Sequence, residues 1–404
     1  MKVLWQVMGL VAIVGIVASA AAQPAHEAAG APPDRTKIAQ TIVNQCAAIG
    51  PGELVFIGGG PRDLDLLENI AVEVRRSGAQ PLLTIETESL VRRMFTDVPA
   101  KFDTQEPLFG LRLANIIDVR IGIDFRERLD LLADIAPQRI IDASKAESAV
   151  NDALLKRNVR QVYLGNALYP TKALATQFGI PHDELARIFW TGINVDYTQL
   201  QATGEKVQKQ LAGGNEVKIN AANGTNLTVK INGRPVFVSD GVISTKDRAD
   251  GGPACQVWLP AGEVYLAPVA GTAAGTFIAD TYFYEGKLIE GLKLEFKDGR
   301  LVNMTAAKGD LEPLKKRYDA APAGRDQFAF IDLGINPNVT HPKDSRMVCW
   351  MAAGMISIGT GGNTWCGGDN DVPFDMYAHL VGATLTVDGK ALIDKGKLIV
   401  GKIE

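Results

Sequence analysis

The apolar periodicity of this 404-residue chain changes character once, near residues 212–215, and that change constrains what the chain can fold into. Before it, short apolar runs alternate with segments of helical spacing. Leu54-Val-Phe-Ile57 leads into Gly58-Gly59-Gly60, as a buried parallel strand would. Leu64, Leu67, Ile70, Ala71 and Val74 then recur at helical spacing, and Gly78 stands where a helix stops. Pro81–Ile85, Ile116–Ile123 and Gln161–Leu164 predict further strands, and Arg126–Ile135 and Ala146–Leu155 further helices. The alternation predicts an open, mostly parallel sheet covered by helices.

From Glu216 the runs shorten and lose their helical partners: Val217–Ile219, Leu227–Ile231, Val236–Val238, Val264–Ala267, Gly275–Ile278, Leu292–Phe296 and Leu301–Met304. Asn223-Gly224, Asn232-Gly233 and Asp298-Gly299 separate several of them, and such pairs between apolar runs favour hairpins. Leu311–Arg317 is the best helix of this half. The expected architecture is an α/β domain with an open, mostly parallel sheet over residues 36–213 and a predominantly β domain over residues 214–404.

The first residues carry a different message. Met1-Lys2, the apolar run Val3–Val17 and the small residues Ala18 to Ala22 predict a cleaved secretory signal over residues 1–22. That run is about 15 residues long, short of the ~20 that a membrane helix needs. Residues 23–35, rich in Ala and Pro, read as a disordered spacer. The expected mature protein is secreted or periplasmic and keeps no membrane segment once the signal is cut. A formal net charge of −4 without a basic block excludes an electrostatic footprint for nucleic acid. Export permits disulfides, and Cys46, Cys255, Cys349 and Cys366 allow three complete pairings. Cys349 and Cys366 flank one Gly-rich region and are the favoured pair. No CxxC spacing occurs, which argues against a structural zinc site.

Three constellations could carry chemistry. Gly58-Gly59-Gly60 fails the dinucleotide fingerprint, because Asp63 stands three residues beyond Gly60, and reads as a tight strand-to-helix turn. Met355-Ile-Ser357-Ile-Gly359 is the nearest approach to a nucleophile elbow, with Met in place of the first Gly. The acids Glu263, Asp332 and Asp375 each interrupt apolar sequence, where a carboxylate is costly unless paired or metal-bound.

Gly224-Thr-Asn226-Leu227, Gly233-Arg234, Pro260-Ala-Gly-Glu-Val264, Pro268 and Gly275-Thr276 occur in an order that continues through Glu295-Phe296-x-Asp298-Gly299 and Gly334-Ile-Asn336-Pro337 to Asp388-Gly389. This series resembles the C-terminal domain of the aminopeptidase T family, also called aminopeptidase S or leucyl aminopeptidase. Pro51-Gly52-Glu53-Leu-Val resembles its N-terminal part more loosely. The resemblance implies an ancestral two-metal exopeptidase that removes N-terminal residues from peptides, assembled as a homodimer around its cleft.

Carried over position by position, Glu263 matches the first ligand glutamate, Asp332 replaces the second with a shorter acid, and Asp375 matches the final aspartate. Met355 and Pro373 stand where the family has histidines, and Gly361-Gly362-Asn363 offers no ligand tyrosine. The resemblance thus makes Glu263, Asp332 and Asp375 the candidate catalytic residues and metal ligands. They would hold a divalent ion (zinc, cobalt, magnesium or manganese), one or none. Loss of imidazole shifts the donor set toward oxygen-preferring cations. His379, four residues past Asp375, could replace a lost ligand if that segment were helical. Iron-dependent dihydroxypyridine dioxygenases share the scaffold and also need histidines, so the same losses count against that chemistry. Two readings follow: an exported metalloaminopeptidase with a trimmed site, or a catalytically silent relative that binds a peptide or small molecule in the same cleft.

Overall fold

The computed structural model describes residues 34–399, so the expected signal segment and nearly all of the spacer lie outside the described residues. In chain order the strands are β1 (Leu54–Gly59), β2 (Gln80–Ile85), β3 (Val119–Ile123), β4 (Arg160–Leu164), β5 (Glu216–Asn220) and β6 (Asn226–Lys230). Then come β7 (Phe237–Ser239), β8 (Gln256–Leu259), β9 (Glu263–Leu266), β10 (Ala274–Tyr284), β11 (Lys287–Lys297) and β12 (Arg300–Thr305). The last are β13 (Phe328–Gly334), β14 (Ile356–Gly361), β15 (Asp375–Leu380), β16 (Thr384–Val387), β17 (Lys390–Asp394) and β18 (Lys397–Leu398). They form a first, parallel sheet in the order β2-β1-β3-β4-β8 and a second in the order β12-β11-β10-β6-β5-β16-β17-β18. A third sheet runs β15-β14-β13-β9-β7, and its pairings, like those of the second, are antiparallel. The α/β half and the β-rich half are therefore both present.

The first sheet takes its fifth strand from the far side of the expected division near residues 212–215. β8 pairs in parallel with β4, in the register Val162↔Val257. Only Pro260, Ala261 and Gly262 separate β8 from β9 in the third sheet. One buried apolar cluster accordingly runs from Ile57 and Ile121 through Leu259 to Tyr265 and Ile358. Each such side chain contributes about 1.5–3 kcal/mol of burial.

Local chemistry explains most elements. The helix Leu64–Arg76 buries Leu66, Leu67, Ile70 and Val74 along one side. The β11–β12 turn places Asp298 and Gly299 at φ of 50° and 73°, the positive pair that a two-residue hairpin needs. Asn223-Gly224 likewise joins the paired β5 and β6. Asn232-Gly233 does not make a hairpin, since β6 and β7 lie in different sheets.

The helix expected over Arg126–Ile135 does not form; the helix Pro137–Lys156 begins after it, with proline in its first turn. Side chains from elsewhere take its backbone donors. Arg126 N–H donates to Asp124 Oδ1 (3.1 Å), and the N–H groups of Glu127 and Arg128 both donate to Glu88 Oε1 (2.7 Å each). No disulfide joins Cys349 and Cys366. The Cys366 thiol donates to the Asn363 carbonyl (3.2 Å), and Cys349 lies beside His341 (Sγ to Nε2 4.0 Å). Among the described residues no helix is long and apolar enough to cross a membrane.

Candidate functional site

Register places the three candidate acids on one face of the third sheet. Tyr265, Asp332, Ser357 and His379 form a single cross-strand row over β9, β13, β14 and β15. Cross-strand partners share a face, and so do residues two apart along a strand. Glu263, paired with Gly334, therefore lies on this face to one side of the row. Asp375 lies on it to the other side, four residues along β15 from His379. With ~3.4 Å per residue and ~4.8 Å between strands, Asp332 is about 8 Å from Glu263 but roughly 16 Å from Asp375, Cα to Cα. Glu263 and Asp332 are neighbours; Asp375 is not.

Each acid is held by its own surroundings. Asn166, just beyond β4 and at a φ of 46° that asparagine tolerates, donates from Nδ2 to Glu263 Oε1 and, at 3.3 Å, to the Pro260 carbonyl. Glu263 and Asp332 are fully buried. Asp375 meets the Arg317 guanidinium at 3.4 Å, from the helix Glu312–Ala320. That guanidinium also lies over the Phe374 ring, 5.1 Å from its centroid.

Ser357 and His379 form a pair that spacing alone did not reveal. Ser357 Oγ is 2.7 Å from His379 Nδ1, and both residues are buried. The signal lay in the elbow-like Met355–Gly359 stretch, but the partner became visible only through the β14–β15 register. His379 does not replace a metal ligand beside Asp375, because its segment is a strand rather than a helix. Its ring packs against Trp350 (centroids 4.7 Å) and Tyr377 (5.4 Å). Trp350 continues to Phe330, and Phe330 to Trp365, so aromatic rings fill much of this face.

The residues that carried the family resemblance mostly hold the scaffold. Asn336 Nδ2 donates to the carbonyls of Ala261 (2.6 Å) and Gly192 (3.0 Å), tying the β8–β9 connection to a helix of the α/β half. Gly262 must lack a Cβ, since one would stand 2.6 Å from Asn336 Cβ at a φ of +125°. Asp388 accepts the N–H groups of Asn215 (3.0 Å) and Glu216 (3.0 Å).

A cavity of about 220 Å³ lies beside this face. Arg126 and Ala167, which follow β3 and β4, line it from the first sheet. The carboxyl ends of parallel strands are where open α/β sheets bind ligands. Asp375, Tyr377 and His379 line it from β15, Tyr282 and Tyr284 from β10, and Arg317 from its helix. Burial pushes the Tyr377 hydroxyl well above its ordinary value; Asp375 reinforces this, while Arg126 and Arg317 oppose it. Burial likewise raises Tyr284, to about 12. These phenols stay neutral and can donate hydrogen bonds.

Residues 33–318 match the family pattern Peptidase M29, thermophilic metalloprotease. The chain belongs to the M29 family. Glu263 lies inside the matched residues, and Asp332 and Asp375 lie beyond them. Aminopeptidase PepS of Streptococcus thermophilus is 34% identical over 102 residues, covering 24% of this M29 chain and 23% of PepS. The aligned stretch is thus under a quarter of that relative's length. In architecture the chain is similar to wild-type AmpT from Thermus thermophilus, with a TM-score of 0.68 at 20% identity over 91% of this chain and 99% of AmpT. It is also similar to 2,5-dihydroxypyridine dioxygenase from Pseudomonas putida KT2440, with a TM-score of 0.59 at 15% identity over 92% and 99% of the two chains.

The M29 family implies dependence on a divalent metal, and the described residues do not bring together a ligand set that fits one. Among the described residues no three His, Cys, Asp or Glu side chains stand close enough together to hold an ion. Asp375 faces a guanidinium, Glu263 receives an amide, and about 16 Å separates the Asp332 and Asp375 backbones by the strand spacings above.

Proposed function

We propose that this M29 protein is an exported, catalytically silent relative of the family's exopeptidases, which keeps the cleft to bind a small molecule or peptide. The observation that carries the reading is the spread of the three acids, Glu263 to one side of the row that holds Asp332 and Ser357 and Asp375 to the other, with Arg317 seated against Asp375. Two-metal hydrolysis needs ions about 3.5–4 Å apart bridging one site, and these acids offer no such seat. The competing reading, a trimmed aminopeptidase, rests on Glu263 and Asp332 sharing a face and holding a single ion.

Metal content of the purified mature protein, measured beside leucine anilide hydrolysis with zinc, cobalt, magnesium and manganese supplied in turn, separates the two. The expected result is metal well below one ion per chain and no metal-stimulated turnover. Stoichiometric metal with turnover would overturn the proposal. Export is supported by the Met1–Ala22 pattern, so N-terminal sequencing from the native host should begin near Ala21 or Gln23. A homodimer is the expected assembly, and a monomer by light scattering at micromolar concentration would refute it.

A further inference from the structure

Two of the Asn-Gly pairs that separate apolar runs, Asn223-Gly224 and Asn232-Gly233, are held in opposite ways. Such a pair carries a chemistry of its own. The glycine nitrogen can close a five-membered ring onto the side-chain amide carbon of the asparagine, and no Cβ on the glycine hinders its approach. Asn223-Gly224 is locked against this reaction. Asn223 Nδ2 donates to the Ile278 carbonyl (2.9 Å) and to Asp280 Oδ1 (3.0 Å), and its Oδ1 accepts the Thr225 N–H (3.0 Å). The Gly224 N–H donates to the Ala221 carbonyl (3.2 Å), so both reacting groups are engaged. Asn232-Gly233 instead lies between β6 of the second sheet and β7 of the third, and both residues are exposed. Among the described residues no hydrogen bond reaches the Asn232 amide or the Gly233 N–H; the Arg234 N–H closes the turn around them on the Ile231 carbonyl (3.1 Å). A Cβ built on Gly233 would meet no heavy atom within 4 Å, so its nitrogen stands in open space.

We propose that Asn232 is a self-modifying site, converted by Gly233 and water to aspartate and isoaspartate while Asn223 is spared by its hydrogen bonds. The Gly233 nitrogen gives up its proton and attacks Asn232 Cγ; the new N–Cγ bond forms, the Cγ–Nδ2 bond breaks, and Nδ2 leaves as ammonia with that proton. No oxidant or reductant is required. Water then opens the ring, its hydroxyl going to a carbonyl carbon and its hydrogen to the nitrogen. Breaking the N–Cγ bond gives aspartate; breaking the main-chain bond gives isoaspartate, which routes the chain through Cβ and lengthens the turn by one methylene. Either product exchanges a neutral amide for a carboxylate. The change stays local, because Arg234 is tied to the carbonyls of Ala267 (2.7 Å) and Gly367 (2.8 Å). Each net hydrogen bond that must break before attack slows it by up to about tenfold, so Asn223 is expected to react at least about tenfold more slowly in the folded chain. Neither Asn232 nor Gly233 lines the cavity beside β15, so the inference stands apart from the reading of the cleft.

The mature protein is incubated folded, and in parallel unfolded in urea, and samples are cleaved after lysine for mass spectrometry. Cleavage separates residues 219–230, which hold Asn223, from residues 231–246, in which Asn232 is the sole side-chain amide. Loss of ammonia and gain of water add one mass unit. In the folded protein the 231–246 peptide is expected to gain it and to split into two chromatographic forms, aspartate and isoaspartate, while residues 219–230 stay unchanged. In urea both peptides should gain it at similar rates, which assigns the selectivity to the fold. The rate should rise with pH, because the glycine nitrogen attacks after losing its proton. Asn232→Gln, whose longer side chain would have to close a six-membered ring, is expected to abolish the gain. No gain in the folded 231–246 peptide over a period in which the unfolded chain converts by half overturns the proposal. A gain in residues 219–230 of the folded protein that keeps pace with it, an equal rate at pH 6 and pH 9, or a gain that persists in Asn232→Gln does so as well.

Discussion

Replacing Arg317 with Gln tests the electrostatic state of the candidate site most directly. The change removes the cation beside a carboxylate whose side chain is 6% exposed, while Arg317 itself is 18% exposed. At 3.4 Å and an effective dielectric of about 20, the attraction is roughly 5 kcal/mol before desolvation is counted. Deleting one partner of a buried pair costs about 3–5 kcal/mol, because the survivor is left charged in a poor solvent. The single, long contact and the partial exposure of Arg317 place the expectation at the lower end, about 3 kcal/mol. Asp375→Asn should cost less, about 1 kcal/mol, since a neutral amide tolerates burial better than a carboxylate that has lost the Arg317 cation. The double variant should lie near Asp375→Asn, giving a coupling of about 3 kcal/mol. Urea unfolding followed by tryptophan fluorescence, with the slope checked for constancy, measures all four corners. If Arg317→Gln stays within about 0.5 kcal/mol of the parent, or the coupling falls below that, the pair is not holding Asp375 and the reasoning fails.

Asn336→Ala leaves the buried carbonyls of Ala261 and Gly192 without their donor. It should lower stability by about 3 kcal/mol in urea, and a loss under 1 would refute the clamp. Gly359→Ala drives a methyl to 2.2 Å from the Phe330 ring and should cost about 1–3 kcal/mol by overpacking, read from the same transition. Burial pushes the Asp240 carboxyl up to about 7, with Asp247 and Glu205 adding to it and the Val242 N–H opposing. The native state therefore keeps a proton that the unfolded chain, with its pKa near 4, has lost. This contribution is full below about pH 4 and is lost as pH rises through about 7. Asp240→Asn should raise the melting temperature at pH 8 and leave it nearly unchanged at pH 4; an equal shift at both would refute the assignment. Exhaustive EDTA treatment should leave the melting temperature of the parent unchanged, and a drop restored by zinc would restore the metal-site reading.

The division into an α/β half and a β-rich half was legible because two different periods were written plainly into the apolar residues. Leu54–Ile57 with its glycines, and Asp298-Gly299 between apolar runs, specified their own local conformation. Arg126–Ile135 misled because its spacing fits a helix while the side chains of Asp124, just ahead of it, and of distant Glu88 take its first backbone donors. β8 was missed because a four-residue strand, buried throughout, carries no alternation to mark it. The three acids were identifiable as costly residues. Whether they meet depends on strand offsets, which follow from pairing and not from spacing along the chain. The Ser357–His379 contact was hidden for the same reason.

The strand β8 also bears on how such a protein can change over generations. Because the later polypeptide supplies an edge of the earlier sheet, the gene cannot be cut at residue 213 into two transferable modules. A fragment ending there would bare β4, whose five residues are all buried, and an open strand edge invites pairing with other chains. A cut at that point separates strands that share one sheet, so the two halves form an interlocked whole. The bonds that do the locking, β4 to β8 and Asn336 to Ala261 and Gly192, use none of the three acids. Substitution at those acids therefore leaves the interlock between the two halves in place.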